Sequence, residues 1–378
     1  MKKIKVNPRL NWIEKNNEVG FDFSFVDGDP YWIEDHCYEF TYNQILELEK
    51  ATQEIISMCY NVVEFVIENN LFEKLKIPEK FWKAIKNSWN KDDFSLYGRL
   101  DFYYDGINPP KLLEFNADTP TALLESSIVQ WKWLEEQNIQ LKNNDQFNSI
   151  HEKMIENWDY YKNNFLNNEM LHFTSFADSL EDYRNVEYIM DTAYQAGIKV
   201  KYVPINEIGS DGVILIDQQY QEIKHLFKLY PYEWMMNEEF GNILINPPCK
   251  LIEPLWKTIL SNKAMLVLLW ELYPNNTYLL EASFSEIEKE YVKKPIYGRE
   301  GSNISINSNN LKFETEFNSL YDSTGYIYQE AKILPIFDKK YAQVCSWIIG
   351  DEAAGICIRE DDTPVIGNLS TLVPHYFF

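Results

Sequence analysis

Arg99, Asp101, Glu114 and Asn116 carry the clearest chemical signal in this chain. They lie in LYGRLDFYYDGINPPKLLEFNADTPTALLE, which runs from Leu96 to Glu125. Between Arg99 and Tyr104 polar and apolar residues alternate, the period of a half-buried strand. Arg99, Asp101 and Tyr103 share one face, and Leu100, Phe102 and Tyr104 the other. Asp105 to Pro110 is a dense turn signal. From Lys111 to Asn116 the alternation resumes, with Glu114 and Asn116 on one face and Leu113 and Phe115 on the other. If the two strands pair, the four polar residues converge on one surface of the sheet. Two carboxylates and an amide oxygen are hard ligands suited to Mg²⁺, which usually keeps several waters and takes other ligands from substrate phosphates. An arginine two residues from such a ligand can bind phosphate or stabilise transferred charge. The same pattern also fits a hairpin whose polar face meets solvent.

Further residues extend the set. Lys294 ends a strand-like run before Pro295, and Gly298-Arg299-Glu300-Gly301-Ser302-Asn303 follows as a small glycine-bearing loop. A lysine beside a flexible loop with an arginine suits closure over phosphates. It is not a Walker A loop, because no Gly-Lys-Ser/Thr follows. Lys263 lies in a helical pattern, and Arg359 ends a strand candidate. Glu181 and Asp182 open a helix, where an α/β layer usually binds ligands; acidic residues there equally suit the helix dipole.

The chain has 378 residues, enough for two or three domains and a large core. Its net charge of −23 argues against nucleic acid and anionic membranes, which need basic patches. Five scattered cysteines form no CxxC pair, and the five histidines show no zinc spacing. No apolar run follows the first lysines, and none approaches the length of a bilayer span. These features lead to the expectation of a reduced, cytoplasmic protein.

The elements that must position these residues follow from periodicity. Phe21, Phe23 and Phe25 share one parity and suggest a short strand. Thr41 and Gln44 form a capping box for a helix reaching about Leu71. A helix is expected from Pro78 to Trp89, and Thr119-Pro120-Thr121 is expected to open another, its free N–H groups beside the metal site. His151 to Leu166 reads as a helix. From Met170 the texture changes: strands at 171–176, 199–204 and 212–217 with a helix at 182–196 suggest a parallel βαβ layer. Ile243 to Ile245 reads as a short strand and Leu255 to Tyr273 as helical. Residues 304–306, 326–331, 341–348 and 354–359 read as strands.

YGRLDF, LLEFNADTPTALLE, SNKAMLVLLWELYPNN, KKPIYGREGSN, IYQEAKILP and SWIIGDEAAGICIRE recur in this order in the synthetase module of glutathionylspermidine synthase and its stand-alone relatives. The resemblance covers roughly residues 80 to 378. It implies an α+β fold with an α/β part: an ATP-grasp fold beside a Rossmann-like pre-ATP-grasp region. Residues 1–167 would hold the metal hairpin, 168–254 the Rossmann-like part, and 255–378 the rest of the ATP-grasp core with a lid near 285–320. It also implies an ATP- and Mg²⁺-dependent carboxylate–amine ligase working through an acyl phosphate; the alternatives are a ligase for a different acid–amine pair and a non-catalytic nucleotide-binding protein that keeps the fold. The family's metal positions fall on Asp101, Glu114 and Asn116, and its transition-state arginine on Arg99, with Arg359 as a second. ATP contacts fall on Arg99, Lys263, Lys294, the lid residues Arg299, Glu300 and Gly301, and the adenine-side hinge Gln329, Glu330, Ala331 and Lys332. Thr119 and Thr121 match positions that hold glutathione, and Glu181 and Asp182 would meet an amine such as a polyamine. The amidase domain of the bifunctional enzyme is not matched, so cysteine-based hydrolysis is not expected. Thr-Pro-Thr replaces a serine-rich substrate segment, and Leu229-Tyr230-Pro231-Tyr232 is bulkier than its counterpart.

Overall fold

The computed structural model describes residues 1–137, 144–211, 213–368 and 370–378. Its centre is an antiparallel sheet in which Lys111–Asn116, Tyr97–Tyr103, Lys340–Ile349, Glu352–Asp361 and Thr371–Val373 follow one another across the sheet. Against it packs the long helix Tyr42–Asn69. Thr41 caps that helix as the sequence requires: its hydroxyl accepts from the Gln44 amide while the Gln44 side chain accepts from the Thr41 amide.

The hairpin departs from simple alternation at one point. Asp101 pairs with Glu114, but Phe102 pairs with Leu112, so the ladder slips by one residue. This bulge turns Leu113 away from the core, and Leu112 and Phe115 are buried instead. A strict period of two places Leu113 inside, because an extra residue in one strand leaves no compositional trace.

A second, parallel sheet has the order Lys250–Ile252, His225–Leu229, Leu171–Ser175, Val200–Tyr202. The Leu180–Gln195 helix connects two of its strands. The expected strand at 212–217 is not part of this layer. Leu215–Ile216 joins a small antiparallel sheet, and Gly212 lies outside the described residues. His225–Leu229, which periodicity did not single out, takes a central place; all five of its residues are buried.

A third sheet, antiparallel, contains Tyr291–Pro295, Ser305–Asn307, Lys312–Glu314 and Tyr326–Glu330. Its first two strands flank the Gly298–Asn303 loop. Among the described residues no helix is long and apolar enough to cross a membrane.

Four other expectations are corrected. Phe21 and Phe23 are buried outside any strand, while Phe25 pairs in a two-residue strand and is exposed. Residues 243–245 belong to a 3-10 turn, Glu239–Ile245. Leu255–Tyr273 is two pieces, a 3-10 turn Leu255–Ile259 and a helix Met265–Leu272, so Lys263 sits in the connection. Residues 119–121 lie outside any helix or strand, and helical backbone starts at Leu123, whose amide is capped by the Asn185 side-chain oxygen at 2.9 Å. That terminus therefore offers the site no free threonine-capped end.

Candidate functional site

The two hairpin strands bring their polar residues together as their spacing predicts. Arg99 donates twice to Asp101, from Nε to Oδ1 at 2.8 Å and from Nη2 to Oδ2 at 3.0 Å. Its Nη1 donates to the Thr121 carbonyl at 2.9 Å. Asn116 Nδ2 donates to Asp101 Oδ2 at 3.1 Å and to Glu114 Oε1 at 3.3 Å. One amide thus gathers both carboxylates. Burial pushes the Glu114 carboxyl up, but Lys263, then Lys294 and Arg99, outweigh it and hold it down at about 2.

The lysines close the other side. Lys263 Nζ lies 3.3 Å from Glu114 Oε2 and donates to the Gly298 carbonyl at 2.8 Å. Lys294 Nζ donates to the Leu113 carbonyl at 2.9 Å, the group the bulge turns outward, and to Gln329 Oε1 at 2.7 Å. Burial lowers the Lys294 ammonium to about 8. The Gln329 amide in turn donates to the Leu112 carbonyl at 3.0 Å.

The glycine-bearing loop lies over these groups. Arg299 donates to Glu233 Oε1 from Nε at 2.9 Å and Nη2 at 2.7 Å, and to the Thr119 hydroxyl at 3.0 Å. Its guanidinium stands 5.4 Å from the centre of the Trp234 ring. Gly301 has φ +72°, and a Cβ there would meet Val365 at 2.9 Å and the Ile366 carbonyl at 3.2 Å, so glycine fits both conformation and space. Arg359 is anchored by the Gly367 carbonyl at 2.9 Å.

All of this surrounds one open cavity of about 340 Å³. Arg99, Glu114 and Asn116 line its floor, with Lys263 and Lys294. Arg299, Glu300 and Gly301 line the loop side, and Arg359 and Lys332 are also exposed to it. Thr119, Thr121, Glu181 and Asp182 form the wall toward the parallel sheet. Asp101 lies behind Arg99, and Gln329 behind Lys294; both are buried and neither lines the cavity. Glu330 and Ala331 are also outside it, their amides committed to Glu281 and Glu290 carbonyls.

The acidic wall is placed by the Leu180–Gln195 helix. Ser179 caps it, accepting from the Asp182 amide at 3.3 Å. Burial, then the neighbouring Glu181, pushes the Asp182 carboxyl up to about 7. Tyr31 donates to Glu181 Oε1 at 3.4 Å.

Several contributors escaped sequence reasoning. Glu233 holds Arg299. Lys228 is fully buried, donates to Asp118 at 2.5 Å, and lies 3.6 Å from the centre of the Tyr232 ring. Asp118 also accepts from the Tyr232 amide at 2.9 Å, which ties the hairpin's Asn-Ala-Asp segment to the parallel sheet. A lone lysine in the apolar run HLFKL was the available signal.

The donor types fit Mg²⁺: Glu114 is held ionised and lines the cavity with Asn116, and Asp101 stands behind them, held by Arg99 and by the Asn116 amide nitrogen. Among the described residues no three His, Cys, Asp or Glu side chains form a metal cage. A site of two carboxylates that leaves positions for water and phosphate needs none.

Comparison with known proteins gives a consistent result. The family model described as "Glutathionylspermidine synthase preATP-grasp" matches residues 3–378. A Haemophilus influenzae protein named "Putative acid--amine ligase" is 40% identical over 394 residues, covering all of both chains. The bifunctional glutathionylspermidine synthetase/amidase of Escherichia coli is 28% identical; the match covers 96% of this chain and 61% of that protein. Among solved structures, a glutathione synthetase like-effector from Globodera pallida in apoform superposes with a TM-score of 0.56 at 12% identity, covering 99% of this chain and 98% of that one. This last likeness concerns the fold alone.

Proposed function

The chain belongs to the glutathionylspermidine synthase pre-ATP-grasp family, and from that membership we propose that it is an ATP- and Mg²⁺-dependent ligase joining a carboxylic acid to an amine through an acyl phosphate. An enzyme of C–N bond formation is what its relatives' names share. The observation that carries the finer reading is the convergence of Glu114, Lys263, Lys294 and Arg99 on one cavity beneath a glycine-bearing loop, with Asp101 bonded to Arg99 behind it. The antiparallel sheet at 291–330 would act as the clasping half of an ATP-grasp fold, and the parallel sheet as the Rossmann-like pre-ATP-grasp part.

The obstacle in such a reaction is bringing a substrate carboxylate against a polyanionic triphosphate. Asp101, Glu114 and Asn116 would hold Mg²⁺, which when bound supplies positive charge to the phosphates. Lys263 and Lys294 would bind phosphate oxygens, and Arg99 would stabilise charge on the transferring phosphoryl group. Glu114, backbone carbonyls and Asp101 hold these cations in place, so they are already oriented toward the cavity. Arg299 spans Glu233 and Thr119, where its loop can cover the cavity and exclude water from a hydrolysable intermediate. Thr119 and Thr121 would face the acid, which the family suggests is glutathione or another peptide, and Arg359 would neutralise its carboxylate. Glu181 and Asp182 would receive an amine, for which a polyamine is the leading class.

The direct test is ADP release with Mg·ATP and paired acids and amines, glutathione with spermidine first. ADP formed only when both partners are present supports the reading. ADP release indifferent to every acid and amine would contradict it.

A further inference from the structure

Behind the acidic wall lies a third carboxyl that the scheme above does not use. Glu125 begins the π-helical turn Glu125–Val129, an irregularity often found at functional sites. It is fully buried, and neither of its carboxylate oxygens has a hydrogen-bond partner among the described residues. A buried ionised group in that state is strongly disfavoured. Burial, then the charge of Glu181, pushes its carboxyl up to about 8, which keeps it a neutral acid near pH 7. Three titratable groups from three elements face it: Tyr31 from the N-terminal segment, Glu181 from the Leu180–Gln195 helix, and Cys357 from the Glu352–Asp361 strand. The Tyr31 hydroxyl lies between the two carboxyls, donating to Glu181 and facing Glu125. Glu181 opens onto the cavity, whereas Glu125 lies behind it.

We propose that Glu125 is the proton acceptor of the amine subsite, acting through Tyr31 and Glu181 rather than on the substrate itself. The inference rests on the ligase reading, in which the amine arrives as an ammonium ion and must lose a proton before it can attack. Arrival of that cation beside Glu181 favours the ionised form of Glu125, which releases its proton to solvent. Before the nitrogen bonds to the acyl carbon, one N–H bond breaks, its electrons stay on nitrogen as the lone pair, and its proton passes to Glu181. Tyr31, its hydroxyl turned from Glu181 toward Glu125, takes that proton on its oxygen as its own O–H proton moves to Glu125. The nitrogen lone pair forms the C–N bond, and phosphate leaves with the electrons of the C–O bond. The ammonium gives up two protons in becoming the amide nitrogen: the first passes to Glu125 and restores its neutral resting state, and the second leaves with the departing phosphate. A carboxyl that titrates close to the working pH is suited to this task, and an ordinary carboxylate is too weak a base for it.

Titration calorimetry in buffers of different ionisation enthalpy counts the protons exchanged on binding. The probes are spermidine and putrescine, added to the full-length chain with Mg²⁺ and a non-hydrolysable ATP analogue. At about pH 7 the wild type should release close to one proton more per bound amine than Glu125→Gln, and the difference should shrink at about pH 9, where the resting carboxyl is already ionised. A packing role would not move this count, and the melting midpoint of the variant reports its fold separately. With glutathione as the acid, Glu125→Gln should also lower spermidine-dependent kcat by about 10²-fold or more. Equal proton release from wild type and variant would overturn the inference and leave the ligase reading standing. No binding of either amine at millimolar concentration would overturn the amine subsite, and the inference with it.

Discussion

Arg99 and Asp101 stand two residues apart on one strand and meet through two hydrogen bonds, of 2.8 and 3.0 Å, one to each carboxylate oxygen. The proposed charge stabiliser is therefore oriented by one of the proposed metal ligands. Asp101 also receives the Asn116 amide, so each member of the set fixes another. The arrangement is preorganised, and preorganised charge needs little rearrangement when a phosphoryl group moves.

Replacing Arg99 by alanine should lower turnover by about 10³-fold or more, the range expected for an arginine that stabilises phosphoryl transfer. Arg99→Lys should recover little of it, because an ammonium cannot reproduce the two-pronged contact. Steady-state kinetics with melting as a fold control makes the comparison. Near-wild-type turnover in a folded Arg99→Ala variant would remove Arg99 from the mechanism.

Nucleotide affinity should fall as pH rises through about 8. Burial lowers the Lys294 ammonium to about 8, so above that pH the ligand-free lysine is largely neutral. A bound triphosphate favours the charged form, and binding near about pH 9 should then take up a proton. Affinities for a Mg²⁺-bound ATP analogue at about pH 7 and pH 9 measure the effect. Lys294→Met should bind more weakly and lose the proton uptake.

Glu125→Gln should change how stability depends on pH. The carboxyl titrates at about 8 when folded, against an ordinary 4.5. The native state thus holds a proton that the unfolded chain gives up between these values. Its contribution is fully present below about pH 4.5 and is lost as pH rises through about 8. Glutamine cannot ionise, so the variant should gain on the wild type by a few kcal/mol, on the order of the shift, between about pH 5 and pH 8. Parallel melting curves at both pH values would count against a neutral buried Glu125.

Lys228→Met should destabilise the fold by about 3 kcal/mol or more, by leaving the buried Asp118 charge without its cation. The double variant Lys228→Met with Asp118→Asn should recover part of that loss. Denaturant unfolding measures both, and a silent single variant would show that the pair does not join the hairpin to the parallel sheet.

The hairpin was legible because its signal is local. Alternation around Arg99 and Asp101, a turn, then Glu114 and Asn116 specify one polar face without reference to the rest of the chain. Lys263, Lys294, Arg299 and Arg359 come from distant segments, and only the family resemblance joined them to one cavity. The bulge at Leu113 was hidden because backbone irregularity has no hydrophobic period. The helix after Thr121 starts late because Asn185, far along the chain, supplies its cap. Glu233 and Glu125 were missed for a related reason. One is an exposed-looking carboxylate that turns inward to Arg299, and the other an apparent surface glutamate enclosed on every side. Burial of charge is a tertiary outcome, and a single sequence records it only as an ordinary acidic residue.

The central claim is a metal–nucleotide site centred on Glu114. It is tested most directly by thermal melting with and without a Mg²⁺-bound, non-hydrolysable ATP analogue, on the wild type and on Glu114→Ala. Ligand at about 100 times its Kd should stabilise the native wild type by about 2.7 kcal/mol. An upward shift in the wild type that is lost in Glu114→Ala is the predicted result. No shift in the wild type at millimolar nucleotide, or an equal shift in both proteins, would contradict it.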